Sequence, residues 1–276
     1  MKLCLIQMNS TPDHAENVAR AAGYIDQAVA ADKPDLVVVP EFFNHPYVFQ
    51  YRDYAHIDEA EGEDGIAIST MREKAREHGI HVIATIFEAE AAGLCYDSAI
   101  VIDPAGAILG RYRKAHPAAV RSLEKIYFRY GSHFPVFRIG AWRVGINICY
   151  DTFFPESARC AAVNGAELIV VPFAAPAVAC WRETMQTRAF ENGVYFAPCN
   201  KVGLEGEWTF GGRSMIVAPD SEVLAEAGDD GDETIFATLD RARVFEARRA
   251  WPMFRDRRPD LYTAITTPTE DIPRID

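Results

Sequence analysis

The chain has 276 residues, 49% of them apolar, and carries a net charge of −12. That length and apolar share suit one large α/β core, and the acidic balance argues against nucleic acid or an anionic membrane surface as a partner. The six cysteines, at 4, 95, 149, 160, 180 and 199, form no C-x-x-C pair, and no apolar run has signal-peptide or membrane-span length. These features predict a cytoplasmic protein without disulfides.

Strand and helix patterns alternate from the start. Residues 2–8 read as a strand. Thr11 is the expected cap of a helix with Pro12 at its first position, and Val18, Ala21, Ala22, Ile25, Ala28 and Val29 recur on one face until Lys33-Pro34 stops it. An apolar strand follows over 35–40, a helix over 66–78 ended by Gly79, and strands over 80–87 and 96–103. Pro104-Ala105-Gly106 marks a turn into a strand over 107–112. Residues 115–132 have no clean period and read as a long functional loop with one helical turn. Alternation then resumes, with strands over 134–139, 142–149, 168–171 and 195–200, helices over 155–164 and 181–192, and a hairpin of 214–218 with 223–225. The tail from Arg241 is Arg-rich and aromatic.

One internal echo organises the whole. Lys33-Pro34-Asp35-Leu36-Val37-Val38-Val39-Pro40 resembles Gly165-Ala166-Glu167-Leu168-Ile169-Val170-Val171-Pro172, and each stretch follows a helix. Two such halves predict an α/β fold, a four-layer α-β-β-α sandwich with two pseudo-symmetric halves. Residues 1–262 would form its single domain and 263–276 a C-terminal tail. Buried strands of this type place functional residues at their C-terminal tips.

Three tips carry chemistry. Cys149 closes an apolar strand just before a helix starting near Pro155, where backbone N–H groups would favour a thiolate and could receive an oxyanion. Taken alone, a cysteine there reads equally as a buried packing residue. Glu41 follows four apolar residues and sits beside Phe42 and Phe43, a setting that raises a carboxyl towards the range of a general base. Taken alone, it reads equally as a helix cap or loop acid. Lys114 follows the strand ending near Tyr112 and by itself reads as a surface charge. No G-x-G-x-x-G follows a strand, no P-loop is present, and His78 and His81 lack the H-E-x-x-H pattern. The histidines read as isolated, with no metal constellation.

Together, V-V-P-E-F-F at Glu41, Y-R-K-A-H at Lys114 and G-I-N-I-C-Y-D-T-F-F-P-E at Cys149 resemble the nitrilase (carbon–nitrogen hydrolase) superfamily, in its order and approximate spacing. Glu124 resembles the family's supporting glutamate. The likeness runs to about Tyr262. It implies that Glu41 takes the thiol proton, that Cys149 attacks a carbonyl carbon, and that Lys114 and the Tyr150 backbone N–H hold the oxyanion. Ammonia leaves, a thioester forms, and water activated by Glu41 hydrolyses it, with no cofactor and no metal. Glu124 would hold Lys114 and help to orient substrate or water.

Glu124–Gly131 and the residues after Cys149 resemble the N-carbamoylputrescine amidase and carbamoylase branch, with Tyr150 where a tryptophan is usual. In such an enzyme the products are an amine, carbon dioxide and ammonia. Phe42, Tyr47, Phe153, Phe173 and Trp181 are the expected substrate-binding residues. The arginines that hold the carboxylate in amino-acid carbamoylases are replaced here by Thr152, Phe153 and Phe154. An N-carbamoyl amine is therefore expected over an N-carbamoyl amino acid, with the acidic stretch 58–64 favouring a cationic end, unless Arg182 or Arg188 supplies a positive charge. An aliphatic or dicarboxylate monoamidase and a catalytically silent binding protein remain open alternatives. The aromatic, arginine-rich tail resembles an arm that reaches a neighbouring subunit, so a homo-oligomer is expected.

Overall fold

The computed structural model describes residues 1–268. Its elements run β1 (Lys2–Gln7), α1 (His14–Asp32), β2 (Leu36–Val38), α2 (Ile66–His78), β3 (His81–Ala91), β4 (Leu94–Ile102), β5 (Ile108–Arg113), α3 (Glu124–Tyr127), β6 (Val136–Ile139), β7 (Trp142–Ile146), α4 (Pro155–Val163), β8 (Leu168–Phe173), α5 (Trp181–Asn192), β9 (Tyr195–Asn200), β10 (Val202–Glu205), β11 (Trp208–Gly211), β12 (Met215–Val217), β13 (Val223–Glu226), β14 (Glu233–Thr238) and α6 (Arg241–Ala250).

Two six-stranded sheets result, ordered β14-β1-β2-β3-β4-β5 and β13-β12-β9-β8-β7-β6. In each, three parallel strands are linked by helices: β1-α1-β2-α2-β3 in one and β7-α4-β8-α5-β9 in the other. The halves superimpose in connectivity, β2 answering β8, so the echoed sequences occupy equivalent central strands. Period-2 alternation then builds the layers. Leu3, Leu5, Leu36 and Val38 face the second sheet and pack with Val144, Ile146, Leu168 and Val170. Cys4, Ile6, Val37 and Val39 face the other way, onto Val18, Ala21 and Ile25 of α1 and Met71 of α2. Ala158, Ala161, Met185 and Ala189 bring α4 and α5 onto the far side of the second sheet. Helix, sheet, sheet, helix is the expected four-layer sandwich.

Several boundaries differ for local reasons. Asp13, not Thr11, caps α1: its carboxylate accepts the Glu16 N–H at 3.0 Å, while Thr11 Oγ1 accepts the Asp13 N–H at 3.2 Å, one step earlier. The strand expected through Cys149 stops at Ile146, and Cys149–Phe153 form a 3₁₀ turn. The hairpin β10–β11 and the edge strand β14 were not legible, because Gly203, Gly206 and Gly211 break the apolar pattern of the first and the second alternates weakly. The tail beyond Arg241 starts with a regular helix, α6, capped by Asp240, whose carboxylate accepts the Ala242 N–H at 2.9 Å. Short helical turns follow at Met253–Asp256 and Thr263–Thr266. Of the expected tail, residues 269–276 lie outside the described residues.

Candidate active site

Glu41, Lys114 and Cys149 stand just beyond β2, β5 and β7. Lys114 is fully buried and continues the β4–β5 ladder, its N–H donating to the Asp97 carbonyl at 2.9 Å. That pairing sets Asp97 directly opposite it, on the same face. Behind Lys114, loop 115–132 folds back so closely that the Gly131 N–H donates to the Lys114 carbonyl at 2.8 Å. A Cβ on Gly131 would lie 1.9 Å from the Arg113 carbonyl, so only glycine fits this approach.

The Lys114 ammonium sits among three buried carboxyl groups. Its Nζ lies 2.6 Å from Glu41 Oε1, 2.7 Å from Glu124 Oε2 and 3.1 Å from Asp97 Oδ2. Burial alone would lower the Lys114 pKa, but the pull of Glu124, Glu41 and Asp97 carries it well above the ordinary lysine range. Glu124 is itself held on several sides, accepting from the Tyr47 hydroxyl at 2.7 Å and the Ala118 N–H at 2.7 Å. The Tyr47 hydroxyl also meets Ser122 Oγ at 2.8 Å. Loop 115–132 is therefore a structural part of the site.

Asp97 was not anticipated. Burial, partly opposed by Lys114 and reinforced by Glu41, holds its carboxyl well above the ordinary aspartate range. Burial also pushes Glu41 up, against the pull of Lys114. Glu41 Oε2 and Asp97 Oδ1 have no side-chain or backbone donor, and Asp97 Oδ2 has only the Lys114 ammonium, 3.1 Å away. A proton shared between Asp97 and Glu41 would serve Glu41 Oε2 and one Asp97 oxygen, because adjacent buried carboxyls beside a single ammonium favour holding a proton between them. No sequence motif marks Asp97. The signal is the β4–β5 register, which appears only once the sheet is formed.

Cys149 is 8% exposed and adopts φ of +43°, a left-handed conformation that costs a non-glycine residue energy. The strain aims its side chain out of the strand line at the tip of β7. Asp151 secures the turn. It accepts the Ile148 N–H at 2.9 Å, the Tyr112 hydroxyl at 2.6 Å and the His116 N–H at 3.0 Å, and so ties the Cys149 turn to the segment carrying Lys114. Arg188 braces the same turn from α5 through the Thr152 carbonyl at 2.8 Å. The backbone donors at this turn do not lower the thiol's pKa overall. Burial, then the negative charge of Glu41, holds the thiol well above its ordinary pKa, outweighing Lys114 and the Ala174 backbone N–H. The thiol therefore needs a base at the moment of reaction, and the raised Glu41 is the nearby group with that capacity.

A cavity of about 400 Å³ opens over Cys149 and Glu124. Tyr47, Tyr150 and Phe153 line it, Tyr47 and Phe153 being among the residues proposed from sequence to bind substrate. Phe42, Phe173 and Trp181 do not. Phe42 is packed against Phe49 and Phe128 below the site, Phe173 lies behind Phe153, and Trp181 donates its indole N–H to the Arg213 carbonyl at 3.0 Å in an adjoining cavity. Their places are taken by Val120, Arg121, Trp208 and the segment 174–178. Trp208 stacks on Tyr47 with ring centroids 5.1 Å apart. It comes from the hairpin that the sequence pattern concealed.

With the geometry in view, the family follows. The carbon–nitrogen hydrolase family model matches residues 2–249. The chain belongs to the carbon–nitrogen hydrolase family. It is a hydrolase acting on amides. A citrullinase of Francisella tularensis subsp. tularensis is 32% identical over 281 residues, covering 96% of this chain and 98% of the relative. An N-carbamoylputrescine amidase of Solanum lycopersicum is 33% identical over 282 residues, covering 95% and 93%. The crystal structure of a carbon–nitrogen hydrolase from Helicobacter pylori superimposes with a TM-score of 0.91 at 29% identity, covering 97% of this chain and 98% of that one.

Asp97→Asn is expected to retain most activity and to leave the acid limb of the kcat/KM profile in place, because the amide can still donate to Glu41, whereas Asp97→Ala removes the donor and should move that limb to higher pH. Asp97→Ala strands the Glu41 oxygen at a cost of about 1–3 kcal/mol and should lower kcat at least about tenfold. A pH profile unchanged in both variants would show that Asp97 does not govern Glu41.

Proposed function

We propose that this site hydrolyses a terminal carbamoyl group on a short aliphatic chain through a covalent Cys149 intermediate. The observation that carries the reading is a neutral buried thiol on the cavity wall, beside a raised carboxyl and a fully charged lysine. As substrate enters, Glu41 takes the proton from Cys149, and the sulfur bonds to the carbonyl carbon. Charge moves onto the carbonyl oxygen, where the Lys114 ammonium and the Tyr150 N–H receive it. Glu41 returns the proton to the departing nitrogen and the C–N bond breaks. For a ureido substrate this leaves a thiocarbamate. Glu41 then activates water to release carbamic acid, which decomposes to carbon dioxide and ammonia. For a simple amide the same steps give ammonia first and a carboxylic acid second. Glu124 holds Lys114 in place and orients the substrate's amide or the attacking water.

Both relatives named above, by their names, act on compounds with a ureido group at the end of a short alkyl chain, which supports the carbamoyl reading. They differ at the far end, an α-amino acid in one case and an amine in the other. Here the sequence-based preference for a cationic end loses its basis. In the acidic stretch, Glu59 is held by His56, Glu61 by Asn44 and Glu63 by Arg111, and none of them lines the cavity. Arg182 pairs with Glu226 on the surface and Arg188 is spent on the Thr152 carbonyl, so neither supplies a cavity charge. Arg121 does line the cavity, with φ of +53° in the loop that also presents Val120. A guanidinium there favours a carboxylate-bearing far end.

Assembly and location follow from other features. Trp251, Leu261 and Ile265 are more than half exposed on the C-terminal segment, which supports a homo-oligomer joined through that arm. Among the described residues no helix is long and apolar enough to cross a membrane, and the six cysteines are all free, which suits a reducing compartment such as the cytoplasm.

Cys149→Ala should remove turnover by at least about a thousandfold and Glu41→Gln by a similar factor, since members of a catalytic unit are not additive. Ammonia release from a panel of ureido compounds, amides and nitriles measures this, with circular dichroism as the folding control. Near-normal activity in Cys149→Ala would end the covalent mechanism. For substrate choice, kcat/KM is expected to favour citrulline over N-carbamoylputrescine, and Arg121→Gln should reduce that ratio by about tenfold to a hundredfold. A wild-type preference for the amine would return the assignment to an N-carbamoyl amine. Sedimentation velocity at micromolar concentration should show a dimer or larger, and a monomer would reject the proposed assembly.

A further inference from the structure

Away from the cavity, three segments of the chain bring imidazoles to one carboxylate. His14 opens α1, His45 lies in the loop after β2, and His56 and Glu59 belong to a 3₁₀ turn at Tyr54–Glu59. His45 Nε2 lies 2.5 Å from Glu59 Oε2, and His14 Nε2 lies 3.9 Å from the same oxygen. The His14 and His45 ring centroids are 4.2 Å apart.

The orientation of these groups is that of ligands. The His45 side chain is 1% exposed, and its Nδ1–H donates to the Pro46 carbonyl at 2.6 Å, which directs the Nε2 lone pair inward. Nε2 points at Glu59 Oε2 and is kept from solvent. His56 Nδ1 donates to the other Glu59 oxygen, Oε1, at 2.8 Å and so leaves Oε2 turned towards the two Nε2 atoms. Outer hydrogen bonds of this kind, imidazole to carbonyl and imidazole to carboxylate, orient metal ligands.

Among the described residues two other groups of acids and histidines come equally close, and an ammonium already occupies each. Lys114 fills the Glu41, Asp97 and Glu124 group. Lys74 takes both Asp26 oxygens, at 2.8 and 2.9 Å, in the Asp26, Glu77 and His78 group. The His14, His45 and Glu59 group holds no such cation. The nearest ammonium, Lys201, donates to the backbone carbonyl of His45 and is neutralised by Glu205 at 2.9 Å.

We propose that His14 Nε2, His45 Nε2 and Glu59 Oε2 form a site for a divalent transition metal, best suited to Zn²⁺. Two imidazoles and one carboxylate select zinc and its neighbours over magnesium or calcium. With Zn–N and Zn–O bonds of about 2.0–2.1 Å, tetrahedral ligands stand about 3.3 Å apart. The two observed separations from Glu59 Oε2 lie on either side of that value, so a small opening at His45 and a small closing at His14 complete the set. His14 and Glu59 are about one-third exposed, giving the ion a path in. The ion would cross-link α1, the 3₁₀ turn and the loop that leads to Tyr47, whose hydroxyl holds Glu124. Its role is structural, remote from the reacting atoms.

The test uses the full chain with Cys149→Ala, which removes the reactive thiol from competition. After treatment with EDTA, titration with zinc chloride should give one tightly bound ion per chain and a raised melting temperature. Co²⁺ should give the visible absorption bands of a tetrahedral site. His14→Ala, at a partly exposed helix start where folding is not at risk, and separately Glu59→Gln, should each weaken zinc at least about tenfold and abolish the Co²⁺ bands. Binding equally tight in both variants would place the ion elsewhere, for example on the exposed Cys160 or Cys180, and overturn the assignment. So would the absence of zinc binding to the parent chain at millimolar metal.

Discussion

The ammonium of Lys114 inside a ring of three carboxyls is the interaction on which this molecule's chemistry rests. A single buried cation with Glu41, Glu124 and Asp97 around it cannot neutralise all three. Burial raises both the Asp97 and the Glu41 carboxyl, so this pair favours holding a proton. Burial, against the pull of Lys114, raises Glu41 above an ordinary carboxylate, and burial followed by the negative charge of Glu41 holds the Cys149 thiol well above its ordinary pKa. In the mechanism proposed above, thiol and base stand one proton transfer short of reaction, with the lysine charged to receive an oxyanion.

Holding this arrangement takes much of the surrounding fold. The residues come from both halves of the sandwich: Glu41, Asp97 and Lys114 from the first sheet, Cys149 from the second. Asp151 connects the two, accepting from Tyr112 and His116 on one side and from Ile148 on the other. A second buried pair, Lys201 with Glu205, anchors the opposite wall, since Glu205 accepts the backbone N–H of Tyr47 at 2.9 Å and Tyr47 in turn holds Glu124. Buried ion pairs contribute little net stability once desolvation is counted. Their worth here lies in fixing positions to which the reacting groups are bonded.

The cavity above shows how specificity is separated from chemistry. Its floor is built from strand tips and buried charges. Its walls come from connecting segments: loop 115–132, residues 174–178 and the β10–β11 hairpin. Changes in those segments alter what is held without disturbing how it is cleaved. Arg121 and Trp208, both on such segments, line the cavity.

Much of this was legible in the chain alone, wherever a local rule was strong. Paired apolar runs before Pro40 and Pro172 marked the two central strands, α2 and α5 fell on their residues, and the motifs at Glu41, Lys114 and Cys149 marked the site. Glu124 was legible through its surrounding motif. Asp97 was not, because nothing near it in sequence sets it apart; cross-strand register alone places it opposite Lys114. The cavity wall was misread for a related reason. Phe42 and Phe173 are adjacent in sequence to the site, yet their side chains point into the core, while Trp208 arrives from a hairpin whose glycines hide its period. Likewise His14, His45 and Glu59 share no spacing and meet only because α1 and the loop after β2 are packed together. Local sequence therefore determined the elements and the nucleophile's neighbourhood, since these depend on periodicity and short-range turn chemistry. Tertiary structure decided protonation, cavity shape and side-chain convergence, because each depends on burial and on contacts between residues far apart in the chain.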